Sequence, residues 1–153
     1  MSKEAQECCR KVDVVTVKGS AVPMPIYTSD AFQNQHFATL KTPKYSNLDL
    51  NEILIAQALE YSPQLWKEDE DLVQLRRLCT PDFLDAHRKG IETYLNGDWT
   101  KARLHLEQAN MIMNDLVGDD KGDGPSQTIL RYMRNRNWSC PGDWQGFRPL
   151  TSK

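Results

Sequence analysis

No apolar run in the chain approaches the roughly 20 residues that a membrane helix needs. The opening stretch, MSKEAQECCR, is polar, so a secretory signal is not expected. Neither sign of charge dominates: 19 Lys and Arg stand against 21 Asp and Glu, for a formal charge of −2. A chain so balanced is not built to coat nucleic acid or an anionic membrane. Histidine is scarce, and His36, His87 and His105 have no second ligand at metal spacing. Cysteine is scarce too, with Cys8, Cys9, Cys79 and Cys140 only. Adjacent Cys8 and Cys9 form neither a CxxC redox pair nor a zinc knuckle. Without a secretory signal the four thiols are expected to stay reduced in the cytoplasm. What remains is 153 residues, 39% of them hydrophobic, which suits one domain with a modest core.

The N-terminal part carries strand signals. Val12-Asp-Val-Val-Thr-Val17 is dense in β-branched residues, and Lys18-Gly19-Ser20 breaks it. Met24-Pro-Ile-Tyr-Thr28 follows as a second short run, which predicts a hairpin with a long loop. Pro25 has no N–H to donate, so it belongs at a strand start or on an edge. Nothing downstream is patterned as a third strand. A two-stranded ribbon is marginal alone, and both of its edges are expected to be open to another chain.

Helical periodicity begins after a loop-like stretch over residues 30–47. Leu50, Ile53, Leu54, Ala58 and Tyr61 share a face, with Asp49 at the start and Ser62-Pro63 at the close. Glu68-Asp-Glu-Asp71 then precedes Leu72, Leu75 and Cys79, with Arg76 and Arg77 late. Acids first and bases last suit a helix dipole, so this run reads as a solvated helix start and not a metal site. Thr80-Pro81 predicts a capped helix start. Phe83, His87, Gly90, Ile91 and Tyr94 share the face that follows. Asn96-Gly97-Asp98 predicts a turn, and Trp99, Ala102, Leu106, Ala109 and Met113 form the next stripe. Gly118 to Gly124 is a polar loop. Gly124-Pro125-Ser126 starts a helix bearing Ile129, Leu130 and Met133. Trp138, Trp144 and Phe147 in the tail predict docking onto the helices.

Few of these features carry chemistry by themselves. Asp119-Asp-Lys-Gly-Asp123-Gly124 fails as a calcium loop, because Lys121 holds the third position and Leu130 the twelfth. Asn137-Trp138-Ser139 is a glycosylation sequon, expected to be a chance match where no secretory signal is expected. Arg131, Arg134 and Arg136 near Tyr132 and Trp138 read as a solvated helix end, with single-stranded nucleic acid as the alternative ligand. Gly90, Gly97, Trp99, Ala102, Leu106 and Ala109 match the spacing of one tetratricopeptide-type helix–turn–helix. Small residues let two antiparallel helices approach while large ones fill the space beside them. One such repeat packs on its neighbours as scaffold more readily than it forms a peptide groove. The fold class expected is α+β: an N-terminal β-hairpin, then a mainly α-helical body with one tetratricopeptide-like helix pair. Its divisions are 1–30 for the hairpin, 31–79 for a linker and first helices, and 80–153 for the helical extension with its aromatic tail.

Arg10 with the Val12–Val17 strand, Val17-Lys18-Gly19 and Pro25-Ile-Tyr-Thr28 resembles the closing hairpin of a class III adenylate or guanylate cyclase catalytic domain. The stretch with Phe83, Tyr94-Leu-Asn-Gly-Asp-Trp99, Ala102, Leu106, Asp123-Gly-Pro-Ser126 and Asp143-Trp-Gln-Gly-Phe147 resembles helical extensions that follow the cyclase domain in large protist cyclases. The first resemblance covers about residues 10–30 and the second about 80–148. It implies that Lys18 lies near the nucleotide's phosphate tail in a complete cyclase, where a flexible ammonium suits a phosphate chain. In that family the metal-binding aspartates, the base-selecting pair and the Asn and Arg that stabilise the transferring phosphate all precede this hairpin. Two-metal phosphoryl chemistry needs those groups together. No catalytic or metal residue is therefore expected in this chain, and no cofactor of its own. Mg or Mn with ATP or GTP belongs to a complete cyclase. The reading is a non-catalytic interaction or scaffold module, with a protein partner or self-association through residues 12–28. Its alternative is the C-terminal part of an active cyclase of intracellular signalling, on the cytosolic side of a membrane if the parent is membrane-bound.

Overall fold

Alternation along the first strand is broken once, and that break orients the whole hairpin. In the computed structural model, which describes residues 9–20, 22–30, 64–118 and 121–150, strand β1 spans Arg10–Val17 and strand β2 spans Met24–Thr28. They pair antiparallel, Lys11 opposite Tyr27 and Asp13 opposite Ile26, so Val12 is the extra residue of a bulge. Strand side chains alternate faces, and an odd separation puts two residues on opposite sides. The bulge cancels that rule here. Arg10, Asp13 and Val15 are all buried.

A third strand, β3 at Arg148–Leu150, runs parallel to β1, with Val15 opposite Arg148 and Val17 opposite Leu150. The sheet order is β2-β1-β3. This corrects the expectation of a two-stranded ribbon with both edges open: β1 is the central strand. Three residues around a proline carry no strand signal. They pair because the docked tail delivers them to the edge of β1.

The chain divides into two compact units, Met1–Asp30 with Arg77–Lys153, and Ala31–Arg76. In the second unit the described residues form two short helices, α1 at Leu65–Glu68 and α2 at Glu70–Leu75. Asp69 separates them, and its Oδ1 accepts the Leu72 amide at 3.0 Å as a cap. The acidic run thus closes α1 with Glu68 and opens α2 at Glu70, and α2 ends at Leu75, short of the Cys79 that the sequence places after it. The helix expected over 50–61 and the loop over 30–47 lie outside the described residues.

In the first unit, helix α3 spans Pro81–Leu95, α4 spans Trp99–Val117 and α5 spans Gly124–Arg134. Each start is built as the sequence implies. Thr80 Oγ1 accepts the Phe83 amide, Asp98 accepts the Lys101 amide, and Asp123 accepts the Ser126 amide. Gly97, at φ 84°, makes the turn between α3 and α4. Gly90 lets them close: a Cβ there would meet Leu106 Cδ2 at 2.6 Å. Ile91, Tyr94, Trp99, Ala102, Leu106, Ile129, Leu130 and Met133 form one buried cluster, with Trp138 and Trp144 of the tail packed against it. The fold is α+β, a strand pair followed by helices. No helix among the described residues is long and apolar enough to cross a membrane.

Candidate functional site

Lys18 sits in the turn after β1, exposed, with no hydrogen bond or ion pair among the described residues. Gly19 follows at φ 89°, and the Ser20 amide donates to the Val17 carbonyl at 3.0 Å, closing the turn. The turn therefore presents a lone ammonium beyond the sheet. No group of three or more His, Cys, Asp or Glu stands ready to share a metal ion among the described residues.

The other singled-out residues gather in the helix pair. Trp99, Ala102, Leu106 and Ala109 are buried, Trp99 at only 2% exposure, and all face the interior between α3 and its neighbours. The Trp99 ring lies 5.9 Å from Tyr94, 5.9 Å from Tyr132 and 5.3 Å from Trp144. Trp144 Nε1 donates to the Leu95 carbonyl at 3.1 Å, which pins the tail to the end of α3. These residues hold the body together, and Trp99 is core.

The hairpin is fastened to that body by a buried ionic knot that sequence reading missed. Arg10 Nε and Nη2 donate to Asp30 at 2.8 and 2.7 Å. Arg10 Nη1 and Nη2 donate to Asp123 at 3.0 and 2.9 Å. All three residues are buried, and the guanidinium also lies 4.7 Å from the Phe83 ring centroid. Burial alone would lower the Arg10 pKa, but the hydrogen bonds it donates to the Asp30 and Asp123 carboxylates outweigh that and raise it. Burial would likewise raise the Asp123 carboxyl, yet the Arg10 bonds leave it lowered. Asp123 also accepts from Ser126 Oγ at 2.6 Å, so one carboxylate both caps α5 and receives the hairpin.

His87 lies against this knot, fully buried, its Nε2 4.0 Å from Asp123 Oδ2 and neither ring nitrogen hydrogen-bonded. Burial, then the Arg10 charge, push its pKa from 6.5 to about 3, against the pull of Asp123. It is a neutral core histidine. A second ion pair ties β1 to β3: Arg148 Nε and Nη2 donate to Asp13 Oδ2 at 2.9 and 2.7 Å. Burial raises the Asp13 carboxyl above its ordinary value despite that arginine.

Two of the clefts formed by the described residues lie on the body. One of about 440 Å³ lies on the outer side of α3 and α4, where Lys89 is already bound to Asp85 at 2.6 Å. The other, about 310 Å³, is walled by Tyr132, Trp144, Phe147 and Pro149, with Arg136 and Asp143 among its polar lining. Arg10 and Asp123 each stood inside quoted sequence motifs, but their pairing leaves no signal in one sequence. No family model, no curated protein and no solved structure matches the chain.

Proposed function

We propose that this chain is a non-catalytic interaction or scaffold module derived from the C-terminal end of a class III nucleotide cyclase. The observation that carries the reading is the form of the hairpin. It has a Val-Lys-Gly turn with an exposed Lys18, and β2 is the last strand of its sheet among the described residues. Met24 and Ile26 on β2 are 42% and 39% exposed. An edge of this kind accepts a further strand, from a cyclase-like sheet or a second copy of the chain. The Arg10 knot supports the same reading, because a strand that docks on β2 is then coupled to the helical body through buried ion pairs.

The second reading, an enzyme part, is favoured by one feature. Lys18 has no ion-pair partner among the described residues and projects past the sheet, as a phosphate-contacting lysine in a complete cyclase must. There, Mg or Mn and ATP or GTP would be held by residues outside this chain.

The test is direct. The purified chain is incubated with ATP or GTP and Mg or Mn, and cyclic nucleotide is measured. None above a protein-free blank is expected. Turnover that Lys18→Ala abolishes overturns the non-catalytic reading. Association is read separately by sedimentation: concentration-dependent self-association, or docking on a cyclase sheet, is expected to disappear in Ile26→Pro. Association that survives Ile26→Pro removes the β2 edge from the proposal.

A further inference from the structure

Four guanidiniums lie against the two rings, Tyr132 and Trp138, at the end of α5. Trp138 has Arg103 of α4 at 4.1 Å and Arg134 of α5 at 5.8 Å from its ring centroid. Tyr132 has Arg136 at 3.9 Å and Arg148 at 5.3 Å. Arg131 stands three residues before Arg134, one helical turn away on the same side of α5. The backbone is bent to hold this group. Asn137 and Trp138 both take left-handed conformations, at φ 52° and 62°, which is rare for a side chain as bulky as tryptophan. Their amides donate to the Arg134 and Met133 carbonyls at 2.9 Å each, and Trp138 folds back onto the core.

Neither ring is an open platform, since both pack on the core and both carry guanidiniums. What meets water is arginine: Arg103, Arg131, Arg134 and Arg136 are all exposed. A guanidinium stacked on a ring keeps its in-plane N–H donors for another acceptor. Arg148 is bonded to Asp13, and Arg103 uses its Nε on Glu107 at 2.8 Å. Arg131, Arg134 and Arg136 have no acidic partner among the described residues, and Asp143 lines a cleft with Arg136 without pairing to it. A helix C-terminus attracts cations, but that accounts for Arg131 and Arg134 alone. Arg136 lies past the last turn, and Arg103 belongs to another helix.

Arginines already held on rings lose little freedom when a carboxylate binds them. Their charges are divided between two helices and two rings, so they fit a row of carboxylates better than one lone anion. Single-stranded nucleic acid needs a bare aromatic face for its bases, and both rings are covered. The formal charge of −2 gives nucleic acid or an anionic membrane no general attraction.

We propose that Arg103, Arg131, Arg134 and Arg136 form a docking surface for an acidic segment of another protein, a run of Asp and Glu whose carboxylates pair with the guanidiniums. The surface does not include the β2 edge, and the inference holds or fails independently of the cyclase reading.

The experiment titrates fluorescein-labelled hexaglutamate with the full chain. Anisotropy is expected to rise saturably, to fall as salt is raised, and to stay flat with hexaglutamine. Arg131→Glu and Arg134→Glu are each expected to weaken binding by about tenfold. Arg88→Glu makes the same charge change on α3 and is expected to leave binding within about twofold. All three side chains are exposed, so the fold is retained, which circular dichroism checks. Three results overturn the proposal: no saturable binding, a loss from Arg88→Glu equal to that from Arg131→Glu and Arg134→Glu, or tighter binding of an oligouridine than of hexaglutamate.

Discussion

Arg10 and Asp123, 113 positions apart, are joined by two hydrogen bonds of 2.9 and 3.0 Å inside the protein. The contact links the first residue of β1 to the cap of α5, so hairpin and helix stand or fall together. Arg10→Met strands two buried carboxylates, and the expected loss is about 3–5 kcal/mol in urea unfolding. Asp123→Asn keeps a side-chain cap and is expected to cost less. A double-mutant cycle measures the coupling. If both single variants unfold within about 0.5 kcal/mol of the parent, as surface changes do, the knot is not structural.

The neutral His87 predicts an acid sensitivity. Its pKa falls from 6.5 to about 3 on folding, first by burial and then by the Arg10 charge. Below pH 6.5 the unfolded chain takes up a proton there that the folded chain does not. The stabilisation is therefore complete above that pH and is lost as pH falls toward 3, with a slope of up to about 1.4 kcal/mol per pH unit. Asp13 works the other way, since its raised folded pKa favours proton uptake by the native state. Comparing the parent with His87→Leu in urea at several pH values isolates the histidine. An identical pH slope in the two proteins rules out this assignment.

Gly90 tests the approach of the helix pair. Alanine there would sit 2.6 Å from Leu106 Cδ2, a contact that something must relieve. Gly90→Ala is expected to destabilise by about 1–3 kcal/mol, although alanine favours helix elsewhere. Leu106→Ala added to it is expected to give a positive interaction between the two changes. Simple additivity in thermal melts contradicts the clash.

Trp99→Ala removes the ring shared by Tyr94, Tyr132 and Trp144, at an expected cost of about 3–5 kcal/mol. That is a large share of a small domain's stability. Unchanged melting together with loss of a bound partner would instead place Trp99 at a working surface.

Amide exchange separates the strands. β1 lies between two neighbours and carries buried Val15, whereas β2 is the last strand of the sheet among the described residues. Exchange over Val15–Val17 is expected to be slower than over Met24–Thr28, and a strand added by a partner to close that gap. Equal protection of β1 and β2 in the monomer contradicts an open β2 edge.

Much of the body was legible in one sequence because its signals are local. Thr80-Pro81, Asn96-Gly97-Asp98 and Gly124-Pro125 mark helix starts and a turn within a few residues. The stripe from Trp99 to Met113 shows its buried face by period alone. The bulge at Val12 was not legible, since Asp13 reads as the outward residue of an alternating strand. Nor was β3: Arg148-Pro149-Leu150 has neither length nor β-branched residues, and only the docked tail makes it a strand. Arg10, Asp30 and Asp123 are ordinary surface residues by type. Their burial depends on partners 20 and 113 positions away, and charge complementarity over such distances leaves no pattern along the chain.

The bond between Asp13 and Arg148 spans 135 positions, while α3 and α4 are joined by residues 96–98 alone. Closing a loop costs more entropy as it lengthens, by about 0.6 kcal/mol for each doubling. The helix pair is thus the natural nucleus, and the seam between β1 and β3 is the last part to shut. Substitutions at Gly90 or Leu106 then slow folding, whereas substitutions at Arg148 mainly hasten unfolding, a division that a chevron plot reads directly. On a ribosome β1 and β2 emerge long before β3 has been made. Until Arg148 follows, Asp13 lacks the guanidinium that closes the seam between β1 and β3, and the nascent chain carries that edge open while α3, α4 and α5 are made.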